Sequence, residues 1–183
     1  MTSTRLLLAS IDEAYDVRSW HGTNLRGALR GVTREQAAWR PAFAKATARQ
    51  APAAMASTSA MATADRPGAS RHNIWELMVH AAYWKYDIRR RLTGEKGRSF
   101  AIEGSNFWAR PIEGSLREWR ADRALLQHEH DLLRGAVEKF PEARWTRKAP
   151  GKPFTFEGLV RGVAAHDVYH AGQIQLLKRL QES

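Results

Sequence analysis

The 183-residue chain contains no cysteine, which removes disulfides, thiolate metal sites, iron–sulfur clusters and a cysteine nucleophile at once. Any metal must therefore be held by His, Asp or Glu. Long apolar runs are missing too. No window approaches the roughly 18 consecutive apolar residues of a membrane span. The brief run Leu6-Leu7-Leu8 is followed at once by Asp12 and Glu13 and is too short for a signal-peptide core. A soluble, cytoplasmic protein is expected. Alternating strand patterns are also lacking, which points to an all-α class. Acidic residues are scarce against basic ones, 19 to 29, leaving a net charge of +10. Such a surface attracts polyanions without any dedicated site. Its densest cluster, Arg89-Arg90-Arg91, falls at the end of a helical pattern, where the helix dipole favours cations, and reads as solvated. No nucleic-acid motif accompanies it, so nucleic acid is not the expected partner.

What is present is helical periodicity with caps. Residues 4–32 carry Leu8, Ile11, Tyr15, Leu25 and Leu29 as apolar positions, with a break expected around Trp20-His21-Gly22; one bent helix and two short ones fit equally. Thr33-Arg34-Glu35-Gln36 matches a capping box. From about 42 to 69 the sequence is an Ala/Ser-rich insertion with almost no large apolar residue, expected to be mobile because it buries too little to offset its ordering entropy. A second helix is expected from Ser70 to about Leu92, stopped by Thr93-Gly94, with its seam at Ile74, Leu77, Ala81, Trp84 and Ile88. Residues 93–114 read as a long loop, whose Phe100, Ile102, Phe107 and Trp108 should fold back onto the helices. Ser115-Leu116-Arg117-Glu118 opens a third helix that runs to Pro141, and Thr155 caps a fourth that runs towards Leu180. Four amphipathic helices with long connecting loops most simply form a four-helix bundle, here one domain over 1–183.

On the last helix the expected inward stripe is Leu159, Val163, His166, His170, Ile174 and Leu177. Imidazoles at i and i+4 share one helix face and can converge on one ion. A buried pair without a metal needs a hydrogen-bond partner for each ring, so an apolar core does not adopt it casually. Two readings stand: a metal chelate, or satisfied core histidines. His80, beside the seam of the second helix, is the expected third ligand. Three neutral imidazoles would leave an ion with open positions, as in catalytic sites. Glu76 lies one turn before His80, Asp87 lies beyond it, and Asp167 neighbours His166 about 100° round the helix. Glu76 and Asp167 are candidates for a supporting group or a general base. The alternative for all three carboxylates is an exposed charge in a surface ion pair. His128 and His130 diverge at i,i+2 and are not expected as ligands. His72 should be exposed in the first turn of its helix, while His21 at the break could reach the site.

The segments Asn73-Ile74-Trp75-Glu76-Leu77-Met78-Val79-His80-Ala81-Ala82-Tyr83-Trp84 and His166-Asp167-Val168-Tyr169-His170-Ala171-Gly172-Gln173-Ile174 resemble the DinB superfamily, which includes the YfiT-like metal-dependent hydrolases. The resemblance implies a four-helix bundle and a divalent ion (zinc, nickel or iron) on His80, His166 and His170. It also implies a homodimer and, by likeness to the thiol S-transferases of that superfamily, a low-molecular-weight thiol among the small-molecule partners. Two functions are then expected to compete. One is a metalloenzyme that activates water or a thiol, as a hydrolase or thiol transferase. The other is a non-catalytic module, clipped by its ion, whose basic surface binds an acidic partner or nucleic acid. A substrate pocket is expected from Trp84, Asn106, Phe107, Trp108 and Tyr169.

Overall fold

A computed structural model describes residues 2–41, 72–97, 100–103, 107–110 and 113–182. Among these residues there are six α-helices, one 3-10 turn at Glu142–Arg144 and no strand. The Ala/Ser-rich stretch expected to be mobile, Asn106 and Ser70 lie outside them.

Helix α1, Ser3–Tyr15, starts on the Thr2 hydroxyl, which accepts from the Arg5 N–H. The break that follows is wider than the expected Trp20-His21-Gly22. A turn bridged between Ser19 and Gly22, with Gly22 at φ +99°, replaces helix until Asn24 caps the single turn α2, Leu25–Ala28. Of the two expectations for this segment, short pieces and not one bent helix describe it. Thr33 and Gln36 form the expected reciprocal cap of α3, Arg34–Ala38.

Helix α4, Ile74–Thr93, begins later than expected. Its cap is Asn73, whose side chain accepts from the Glu76 N–H while the Glu76 carboxylate accepts from the Asn73 N–H. Asn is as good an N-cap as Ser, and the reciprocal glutamate decides between them. Gly94, at φ +76°, ends the helix in the left-handed conformation that glycine adopts without steric cost. Helix α5, Leu116–Lys139, opens on the Ser115/Glu118 box, and α6, Phe156–Leu180, on Thr155, both as expected.

Helix α4 packs against α5 and α6, α1 packs against α5 and α6, and α2 and α3 lean on α6 and α4. The apolar interior has two parts. One is built around Trp75, Met78, Leu126 and Ile174, the other around Ile11, Leu133, Trp145 and Val160. Full burial of each such side chain contributes about 1.5–3 kcal/mol. Along α4, α5 and α6, the stretch between the two parts carries buried polar groups: Lys85, then Glu129 and His130, then Asp167 and His170. The site belongs to this polar layer. The expected fold-back of the 93–114 loop is present: Trp108 is buried, its indole N–H donates to the Glu103 carbonyl at 2.9 Å, and Phe100, Ile102 and Phe107 pack on the first cluster.

The arginine run is not solvated as expected. Arg89 pairs with Glu129 at 3.3 Å and Glu95 at 2.6 Å, while Arg90 and Arg91 both hold Asp87, at 2.6 and 2.8 Å. The densest basic cluster is thus neutralised in place, and Asp87 is buried beneath it. Among the described residues no helix is long and apolar enough to cross a membrane.

Candidate metal centre

Helix α4 supplies His80, and α6 supplies His166 and His170 one turn apart. The Nε2 atom of His166 lies 3.0 Å from His80 Nε2 and 3.0 Å from His170 Nε2. His80 and His170 are buried and His166 is half-buried. Nitrogens bound to one ion at about 2.0–2.1 Å fall roughly 2.9–3.4 Å apart. His166 is therefore spaced as a co-ligand of each of the other two, and the nitrogens of all three lie within 4.8 Å of one another.

Protonation agrees with this geometry. Burial first, then the neighbouring His170 and His80, pushes the His166 imidazole down to about 2. Burial likewise pushes His170 down to about 4, against a smaller opposing effect of Gln173. Both rings are neutral at pH 7, the form that binds a metal. The Gln173 amide nitrogen donates to the Tyr169 oxygen at 3.1 Å, which leaves its Oε1 to accept from His170 Nδ1 at 2.6 Å. This assignment puts the His170 proton on Nδ1 and turns the Nε2 lone pair towards the other two rings. Three imidazole nitrogen donors suit zinc, nickel or ferrous iron better than magnesium or calcium. The side chains present fit the divalent ion that the sequence suggests.

The surroundings are aromatic. Phe107 stacks on His80 at 3.8 Å and 7°, and on His72 at 3.8 Å and 9°. Trp84 presents an edge contact to His80 and His166, and Tyr169 one to His170. Tyr169 is exposed. His72 precedes α4, stacked and half-buried, not exposed in its first turn. Composition marked Phe107 as an unusually apolar loop residue; its stacking partners are tertiary and had no sequence signal.

The two carboxylates proposed beside the site have defined partners. Glu76 is buried and accepts from the Arg40 guanidinium, from the Asn73 and Arg110 backbone N–H groups at 3.3 and 3.1 Å, and sits 3.2 Å from His72 Nδ1. Burial alone would raise it, but the bonds from His72, Arg40 and Arg110 outweigh burial and hold it at about 2. So committed an anion is a weak base and a firm anchor between α4 and the 107–110 segment. Asp167 is not an exposed charge. It is 1 % exposed and bonded to Lys85, itself 1 % exposed, and its Oδ1 has no partner in the protein. Burial pushes its carboxyl up, while Lys85 pulls it down. The buried face of α6 holds Val163, His170, Ile174 and Leu177 of the expected stripe and widens to take in Val160, Ala164, Asp167 and Ala171, with Leu159 and His166 half-buried at its edge.

The remaining histidines stand apart. His130 is buried and stacked on Tyr15 at 3.8 Å, and burial, then Lys85, lowers it to about 3. His128 and His21 are exposed. Among the described residues, His80, His166 and His170 form the one group of three or more His, Asp or Glu spaced to hold a metal ion. No curated protein and no solved structure matches the chain. The family model of the DinB superfamily does, over residues 18–174. That match spans all three histidines, and the chain belongs to the DinB superfamily.

Proposed function

We propose that this protein is a metalloenzyme of the hydrolase or thiol S-transferase type, with His80, His166 and His170 as the ligands of one divalent ion, zinc, nickel or iron. The observation that carries the reading is the convergence of three imidazoles across two helices, with His166 Nε2 lying 3.0 Å from the Nε2 atoms of both His80 and His170. Such an ion lowers the pKa of a bound water or thiol, or polarises a substrate oxygen. The chain's own residues do the rest. Gln173 holds the His170 tautomer and Phe107 covers one ring face of His80. Glu76 anchors the segment that carries Phe107. Asp167 holds Lys85 and through it the seating of α6 on α4. The ring of α1, α4, α5 and α6 supports the four-helix-bundle description, in a single domain. A small-molecule substrate, with a low-molecular-weight thiol as co-substrate in the transferase case, fits a half-buried centre walled by aromatics.

The competing reading, a non-catalytic module that binds an acidic partner or nucleic acid through its basic surface, loses the contribution of Arg89-Arg90-Arg91, whose charges are paired internally. Elemental analysis of protein purified without a histidine tag or added metal tests the proposal. About one equivalent of zinc, nickel or iron is expected, and none in His166→Ala. The loaded protein should turn over a member of a panel of thiol acceptors, esters and amides. Stoichiometric metal with no turnover on any panel would leave a structural clip and sink the enzymatic half.

A further inference from the structure

Among the described residues, a second group of arginines lies around α2 and α5. Two neighbouring cavities, about 600 and 280 Å³ in volume, share Arg26 and Arg123. The larger is also lined by Arg18, Arg30 and Gln175, the smaller by Arg120. Against five guanidiniums the lining offers one carboxylate, Asp16, which Arg26 already holds at 3.1 Å. A further cation is fixed beside them, since the Lys178 ammonium donates to the carbonyls of Ala28 and Arg30 at 3.3 and 3.2 Å.

The frame of the larger cavity is tied down. Asn24 is buried and uses its whole amide on the backbone, donating to the Val17 carbonyl at 2.9 Å and accepting from the Gly27 N–H at 2.8 Å. Gly22 and Gly31 line the wall at φ +99° and +74°, with open space where a Cβ would stand. None of the three histidines lines either cavity. Gln175, the contribution of α6, stands about 140° round the helix from His170.

Like charges gathered on a concavity repel one another, and low-dielectric walls focus their field on whatever fills it. A polyanion relieves that repulsion. The guanidinium fork matches phosphate oxygens two at a time, and the volume lies within the range of small-molecule sites. A monoanion would engage one fork and leave the others opposed. The arginines line a hollow, whereas a nucleic-acid strand needs them spread along a face. We infer that this cavity binds a small molecule carrying a diphosphate or two phosphoryl groups, at a site separate from the metal centre.

The test is calorimetric titration of the full chain with pyrophosphate at about 150 mM salt, where long-range surface attraction is screened. Saturable one-to-one binding is expected, weakened about tenfold for each arginine removed in Arg30→Gln and Arg123→Gln, since a charge-assisted hydrogen bond contributes about that factor. The pair Arg147→Gln and Arg161→Gln removes the same charge from exposed positions away from the cavities and should leave affinity within about twofold. Affinity should also survive in His166→Ala. Thermal melts of each variant establish that it is folded. The inference is overturned by absence of saturable binding, by equal weakening in both arginine pairs, or by loss of binding in His166→Ala. It is equally overturned if single-stranded oligonucleotide binds where pyrophosphate does not.

Discussion

Replacing Lys85 by methionine tests the polar layer on which the site rests. The Lys85 ammonium has a bond to Asp167 and the face of Tyr15 at 4.8 Å, and both members of the ion pair are 1 % exposed. Lys85→Met keeps the stem and removes the charge, leaving a buried carboxylate with one oxygen newly orphaned and the other already without a partner. Breaking one side of such a pair costs about 3–5 kcal/mol, a large fraction of the 5–15 kcal/mol typical of a domain. For a chain of this length the melting temperature should fall on the order of 10 °C. Asp167→Leu should cost a similar amount by stranding the ammonium. The double variant Lys85→Met/Asp167→Leu removes both charges and should recover most of the loss. Urea unfolding at pH 7 followed by far-UV circular dichroism gives the four free energies and the coupling between the two positions. A single-variant loss under about 1 kcal/mol, or a double variant as unstable as the sum of the singles, would refute the reasoning.

Three further outcomes follow from the same geometry. His130 is held near 3, below its ordinary 6.5, so unfolding releases a ring that takes up a proton. Its contribution is complete above pH 6.5 and is lost as pH falls towards 3, at about 1.4 kcal/mol per unit. His130→Phe, which keeps the stack on Tyr15, should flatten the stability profile of metal-free protein in that window; an unchanged slope would reject the assignment. Gln173→Leu frees the His170 tautomer and should weaken metal binding about 10- to 100-fold in a chelator competition, with the melt of the metal-free protein little altered. Equal affinity in that variant would remove Gln173 from the site. Glu76→Gln gives up charge-assisted bonds from Arg40 and two backbone N–H groups and should destabilise by about 2 kcal/mol; denaturant midpoints matching wild type would contradict its role as anchor.

Elements bounded by local chemistry were legible from the chain itself. Thr33, Ser115 and Thr155 each satisfy orphan N–H groups of their own helix within three residues, and Gly94 ends one by its own backbone freedom. The histidines were legible for a related reason: i,i+4 spacing on α6 is local, and His80 sits near a clear seam. Width was harder. The buried face of α6 holds Val163, His170, Ile174 and Leu177 as its period predicts but also reaches Asp167, and an aspartate there looks like a surface residue until its partner, 82 positions away, is placed against it. The arginine run misled for two different reasons. Asp87 at i−3 and i−4 was within reach of a helical-spacing argument for Arg90 and Arg91. Arg89 finds Glu129 on a different helix, which no local pattern reveals. Between Ser70 and Asn73, both sound caps, only the bond returned by Glu76 chooses.

The ion pair and the histidines also constrain one another. Helix α4 carries His80 and, five residues and about 7.5 Å further on, Lys85; α6 carries His166 and its neighbour Asp167. A single tie between two helices leaves each free to turn about it, whereas two ties, displaced along α4 and about 100° apart round α6, fix both rotation and register. Ligand sets tolerate misplacement of only about 0.5 Å or 10–20°. If the pair sets the seating of α6, the stable double variant Lys85→Met/Asp167→Leu should bind zinc about tenfold more weakly than wild type, although neither residue is a ligand. Wild-type affinity in that variant would give the register instead to the apolar clusters above and below the polar layer, and leave the buried pair a cost the fold carries without return.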